Sequence, residues 1–410
     1  MDSFIVEGGR RLCGRVRVSG AKNASLPILF STITCRGVSR IYRLPNITDV
    51  NITLHILEGL GAKITTKGEL CEIDTRQLAY REPNGGDVSR LRASTYLLGS
   101  CLSRFGRVSL GSFGGCNFSP RPIDMHLGAA ESFGATYNEK GLSLKKAAPC
   151  DIHFRKSSVG ATVNSLILAA SCEGISRIYG GAVEPHIFAL VDFLRSAGAE
   201  IEYRGGCYTV RGGELHGGCI TVPGDMIEAG TFLYAGLITG GRVEVEGGAQ
   251  EEISTFVEPL LSHGIRYQFA DGVASLEGTL TSSVNVRCAP FPSFPTDMQP
   301  ILAPLLAAFL GGSITDTVFP DRFGYLCDLA AFGVKFERYS GGARVLSSEL
   351  SPGRCFARDL RGGASCVLAA LCTSGRSEIM CAELVRRGYE DFVGKLRSLG
   401  ASICFQKNTI

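Results

Sequence analysis

The chain has 410 residues, with 42 Lys plus Arg against 39 Asp plus Glu and a formal charge of +3. That length exceeds one ordinary hydrophobic core and points to two domains. The near-balance of charge argues against a nucleic-acid coat or a membrane-surface protein, and 45% hydrophobic residues exclude disorder.

In chain order, residues 1–20 read as two short strands around Gly8-Gly9 with no helix. Residues 26–33 follow as a helix apolar nearly all round, which predicts burial on every side. An amphipathic run then ends at Gly61, and a strand pair turns at Lys67-Gly68. These elements recur along the rest of the chain. Apolar helices are predicted at 96–102, 163–170, 232–237, 301–310 and 367–371. Gly134, Gly198, Gly264, Gly333 and Gly400 each stand 64 to 73 residues after the preceding member of the series. Each follows a helical pattern and is predicted to cap that helix in the left-handed conformation. Turns recur at Lys140-Gly141, Gly205-Gly206, Asp271-Gly272 and Gly341-Gly342.

The repeating unit is therefore strand, buried helix, strand, amphipathic helix, strand, strand. Six such units suggest two domains of three. The sixth unit runs out of chain before its hairpin, so the N-terminal hairpin is expected to complete it. The domains are then 21–228, and 1–20 plus 229–410. Two chain crossings, near Gly20 and near Glu228, predict a hinge and a cleft that closes.

Sixteen cysteines are scattered singly, without CxxC or a Cys/His cluster at metal-ligand spacing. No signal peptide or membrane span is legible, so a cytoplasmic protein with reduced, mostly buried thiols is expected. There is no P-loop, no GxSxG and no HExxH. His126 falls on an amphipathic helix and reads as structural.

The chemistry is expected at helix starts, whose exposed N–H groups and partial positive charge receive anions. Lys22-Asn23, Arg92, Ser157-Ser158-Val159-Gly160, Pro295-Thr296-Asp297 and Asp359-Leu360-Arg361 all open buried helices. Arg121-Pro122-Ile123-Asp124, Asp321-Arg322 and Arg387-Gly388 precede amphipathic ones. Cys116 lies on a Gly-rich segment with Gly114-Gly115 before it, where a nearby cation would favour its thiolate.

These segments, in this order, resemble the UDP-N-acetylglucosamine 1-carboxyvinyltransferase family of the enolpyruvyl transferase superfamily, across essentially the whole chain. They are Gly20-Ala21-Lys22-Asn23-Ala24, Leu91-Arg92-Ala93-Ser94, Gly114-Gly115-Cys116, Arg121 to His126, Ser158 to Thr162, Glu228-Ala229-Gly230-Thr231, Phe294 to Gln299, Asp321-Arg322-Phe323, Asp359-Leu360-Arg361 and Arg387 to Glu390.

The resemblance implies an α/β fold of two inside-out barrels, each of three βαβαββ units. It implies that the 3'-hydroxyl of UDP-N-acetylglucosamine adds to C2 of phosphoenolpyruvate and that phosphate then leaves. That is the first committed step of peptidoglycan synthesis. Cys116 matches the acid at C3, or the thiol that forms a phospholactoyl adduct and takes fosfomycin. Asp297 matches the base for the 3'-hydroxyl. Lys22, Arg121 and Arg387 match the cations around phosphoenolpyruvate, with Arg92 nearby. Arg121, Pro122, Ile123, Asp124 and Met125 match the uridine segment. Lys156, Ser158, Val159 and Gly160 match the diphosphate segment. Asn23, Asp297 and Val318 match sugar contacts, Arg322 is a further substrate contact, and Asp359 and Arg361 match the closing interface. No metal, cofactor, nucleic acid, membrane or obligate protein partner is expected. His186 and Met226 depart from the family pattern, where a Glu and an Arg are usual. An EPSP synthase-like transferase with another acceptor, or a non-catalytic UDP-sugar-binding paralogue, are the alternative readings.

Overall fold

A computed structural model describes residues 1–109, 122–139 and 141–407. They gather into two compact units, one of residues 20–223 and one of residues 1–19 plus 224–407. The chain passes between them at Ser19–Gly20 and again at Pro223–Gly224.

Each unit carries three small sheets. The architecture is mixed α/β. No ladder closes into a continuous barrel among the described residues, because each sheet is a separate set of three or four strands. The repeat is plainest at Val284–Cys288, helix Gln299–Ala308, Gly312–Asp316, helix Tyr325–Leu329, and the hairpin Lys335–Tyr339 with Gly342–Leu346. The first two strands pair in parallel across the buried helix, and the hairpin adds antiparallel to the second. The expected apolar helices are the ones enclosed. Leu360–Cys372 has every residue from Leu360 to Leu371 buried, and Met226–Ile238 every residue from Ile227 onward. Their apolar surface on all sides removes any face that water could wet.

The six predicted capping glycines all have positive φ, from 86° at Gly333 to 117° at Gly198. A side chain is disfavoured there, which is why the repeat is marked by glycine.

The N-terminal strands do not form a hairpin with each other. Ser3–Gly8 lies antiparallel between Gly375–Met380 and Ser402–Gln406, completing the sixth repeat. Cys13–Arg17 pairs in parallel with Arg242–Glu246 and serves as the first strand of the fourth repeat. In the other unit, Cys219–Thr221 plays that same part beside Val38–Tyr42.

The cysteines are less uniformly interior than expected. Seven of the described ones are buried, but Cys13, Cys219, Cys327 and Cys404 are exposed. Three of these four lie on strands and one on a short helix, at positions whose side chains face outward. Burial pushes the Cys35 thiol up to about 11 and the Cys101 thiol up to about 12, so these keep their protons.

A buried polar cluster fixes the second unit beside its two chain crossings. Asp225 N–H donates to the Ser19 carbonyl at 2.9 Å, and the Asp225 carboxylate caps helix Met226–Ile238 through Ile227 N–H and Glu228 N–H. The Lys395 ammonium sits on Glu228 and on the Ser19 hydroxyl. Burial pushes Glu228 up to about 7, against the pull of Lys395. The folded state therefore holds a proton that the unfolded chain releases near its ordinary value of 4.5. The resulting contribution to stability is fully present below that value and is lost as pH rises through about 7. Chemical unfolding at pH 5 and pH 8 should reveal it as a loss of about 3 kcal/mol at the higher pH. Glu228→Gln should remove that part of the slope, and an unchanged slope would contradict the assignment.

Candidate active site

The first unit presents its cations at helix starts. Lys22 is the first residue of helix Lys22–Ser31, whose N-cap Ala21 offers no side-chain cap. Its ammonium lies 2.8 Å from Asp49 Oδ2, and Asp49 is itself buried in the first turn of Thr48–Gly59. A nearly buried pair of this kind fixes the ammonium in place at the helix start. Asn23 beside it is exposed. Arg92 opens the 3-10 turn Arg92–Tyr96 that leads into helix Leu97–Phe105, and its partial burial lowers the pKa of the guanidinium.

Pro122 and Asp124 are exposed, and Ile123 and Met125 are partly buried, at the start of helix Asp124–Ser132. Ser158 caps helix Val159–Ala170, its hydroxyl accepting from Ala161 N–H at 3.4 Å. The amides of Val159 and Gly160 find no acceptor among the described residues. Lys156 is exposed three residues before that helix. Cys116 and Arg121 lie outside the described residues.

The second unit gathers its predicted residues more tightly. Asp297 Oδ1 accepts from Arg322 Nη1 at 2.6 Å, and Asp297 Oδ2 accepts from Arg361 Nη2 at 3.5 Å. Arg322 and Arg361 are 4% and 1% exposed, so two guanidiniums stand almost out of water against one carboxylate. Burial works against both charges. Asp297 and Asp359 outweigh it at Arg322, and Tyr389 and Asp297 at Arg361, so both stay above their ordinary value. The Arg361 guanidinium lies over the Tyr389 ring at 5.0 Å, and Tyr389 exchanges a 2.8 Å hydrogen bond with Thr231. Arg361 Nε and Nη1 are buried with no partner among the described residues. Asp359 caps helix Leu360–Cys372 through Arg361 N–H and Gly362 N–H, which holds Arg361 at the first turn.

One residue that the sequence did not single out organises this cluster. Asp316, 1% exposed, accepts from Thr296 Oγ1, from Gln299 Nε2 at 2.7 Å, and from the amides of Val318 and Phe319 at 2.8 Å each. It thereby ties the Thr296-Asp297 segment to the segment carrying Val318. Its only sequence signal is an acidic residue ending an otherwise alternating strand. Arg387 ends the 3-10 turn Ala382–Arg387, two residues before Tyr389.

Six repeats in two α/β units, with buried cations and open amides at helix starts, define a fold equipped to hold anionic substrates. The sequence model of the EPSP synthase (3-phosphoshikimate 1-carboxyvinyltransferase) family matches residues 6–396. A Streptococcus agalactiae protein named UDP-N-acetylglucosamine 1-carboxyvinyltransferase 1 is 37% identical, covering 98% of this chain and 99% of its own. A Prosthecochloris aestuarii protein named UDP-N-acetylglucosamine 1-carboxyvinyltransferase is 36% identical over 98% of each chain. Among solved structures, the enolpyruvyl transferase NikO from Streptomyces tendae superimposes with a TM-score of 0.88 at 26% identity, covering all of both chains. The chain belongs to the EPSP synthase family of carboxyvinyl (enolpyruvyl) transferases. No described helix is long and apolar enough to cross a membrane.

Proposed function

We infer that this chain transfers the enolpyruvyl group of phosphoenolpyruvate to the 3'-hydroxyl of UDP-N-acetylglucosamine, releasing phosphate. It thereby commits the sugar nucleotide to peptidoglycan synthesis in the cytoplasm. The observation that carries this reading is the 37% identity, over nearly the full length of both chains, to a relative of that name.

The site supports it. Lys22, Arg92, Arg121 and Arg387 supply positive charge for the phosphate and carboxylate of phosphoenolpyruvate. Pro122 to Met125 hold the uridine, and Lys156 with the start of helix Val159–Ala170 holds the diphosphate. Asn23, Asp297 and Val318 hold the sugar. Asp297 takes the 3'-hydroxyl proton as oxygen bonds to C2, and Cys116 supplies a proton to C3. Phosphate then leaves C2 of the adduct as the Cys116 thiolate takes a proton back from C3, which restores the double bond and the thiol, and the proton held by Asp297 departs with the phosphate. Arg322 and Arg361 hold Asp297 in place, and Asp359 holds Arg361.

Phosphate release tests the reading. It should require both substrates and should not occur when 3-phosphoshikimate replaces UDP-N-acetylglucosamine. Release with 3-phosphoshikimate alone as acceptor would move the chain to an EPSP synthase activity. No release with either acceptor would favour a non-catalytic paralogue.

A further inference from the structure

His126 reads from sequence as a structural histidine, and half of its ring is. It is 6% exposed on helix Asp124–Ser132 and packs against helix Val159–Ala170. Asn164, buried on helix Val159–Ala170, determines how the ring is used. Asn164 Oδ1 accepts from Gly99 N–H at 2.8 Å, so its Nδ2 faces the other way. That Nδ2 donates to the Thr95 carbonyl at 3.1 Å and meets His126 Nδ1 at 2.7 Å. The Gly99 amide is a donor and the Thr95 carbonyl an acceptor, so the Asn164 amide has one satisfactory orientation. His126 Nδ1 must then accept, which places the proton of the neutral ring on Nε2.

Nε2 has no partner among the described residues. It lies at the start of helix Val159–Ala170. A Cβ added to Gly160 would stand 2.8 Å from Nε2 and 2.6 Å from Cε1, so the missing side chain is what admits the ring. Val159 and Gly160 contribute their open amides at the same place. Burial, then the neighbouring Arg92, push His126 down to about 4, with Asp124 pulling weakly the other way. The ring is therefore a neutral donor at every working pH.

We propose that His126 is a further substrate-binding residue, whose Nε2–H donates to the anionic diphosphate seated at the start of helix Val159–Ala170, with Asn164 as its positioning residue. This rests on the nucleotide-sugar reading above. A protonated histidine would add charge but would lose its bond to Asn164, so the site gains a donor whose direction is fixed and whose charge does not vary with pH.

Titration calorimetry with UDP, with uridine and with UDP-N-acetylglucosamine tests it on the full chain. Parent binding of UDP-N-acetylglucosamine tests the nucleotide-sugar reading by itself. Given that binding, His126→Leu should weaken UDP and the sugar nucleotide about 10-fold or more, the scale of a hydrogen bond to a charged group. Uridine should bind as in the parent, and His126→Gln, which keeps an N–H donor, should recover most of the loss. Equal losses for UDP and uridine, or parent-like UDP affinity in the Leu variant, would overturn the proposal. Nitrogen-15 imidazole spectra of the unsubstituted chain give a second reading, with the Gln variant identifying the His126 signals. They should show an Nε2–H tautomer from pH 8 to pH 5 whose Nε2 resonance shifts on adding UDP. An Nδ1–H tautomer, or an Nε2 resonance indifferent to UDP, would also overturn it.

Discussion

Asp297→Asn should bind UDP-N-acetylglucosamine almost as the parent does and lose about 10² to 10⁴ of turnover, the usual scale for removing a general base. The substitution preserves shape. Its amide oxygen can still accept from Arg322 Nη1, which reaches Asp297 at 2.6 Å, and the contact given up is the longer one of 3.5 Å from Arg361 Nη2. What disappears is the lone pair that takes the hydroxyl proton. The loss should therefore fall on kcat rather than on the affinity for the sugar nucleotide. Steady-state kinetics with direct binding separates the two, and near-normal kcat would remove Asp297 from the role of base.

Asp316→Ala should be the more damaging change to the fold. Four donors converge on this carboxylate, from Thr296, Gln299, Val318 and Phe319, at a residue 1% exposed. Each stranded buried donor costs about 1–3 kcal/mol, so a loss of at least about 4 kcal/mol is expected. That is a large part of the total stability of an ordinary domain, about 5–15 kcal/mol. Turnover should fall as well, because Asp316 holds the Thr296-Asp297 segment through the Thr296 hydroxyl. Asp316→Asn retains one acceptor oxygen and should fall between parent and Ala. Urea unfolding and turnover of both variants check this, and parent-like midpoints would show that the network holds nothing.

The repeat was legible because it is local. A glycine forced to positive φ after an amphipathic run is visible in a few residues, and all six such glycines adopt it. Buried helices were legible because an apolar residue at nearly every position leaves no alternative to enclosure. The partners of the first two strands were not. Ser3–Gly8 pairs with segments more than 360 residues away, and no local pattern encodes such a choice. Asp297, Arg322 and Arg361 could be nominated from their motifs, but their meeting at one carboxylate could not. Asp316 and Asn164 were missed for a related reason, since each matters through the direction of its bonds. The exposed cysteines were misjudged because a thiol on the outer side of a strand or a helix looks in sequence like one on the inner side.

The placement of the first strand sets an order of events during synthesis. The described residues between 20 and 223 form one unit, so it can condense while the ribosome is still making residues 224 onward. Residues 3–8 are made long before Gly375–Met380 and Ser402–Gln406 and must wait for both before they find their neighbours. Until then both strand edges are unpaired, in a segment that includes Phe4, Ile5 and Val6. Such an edge invites pairing with another nascent chain. A segment made early is thus among the last to be secured, and its open edges persist through the synthesis of nearly 400 following residues.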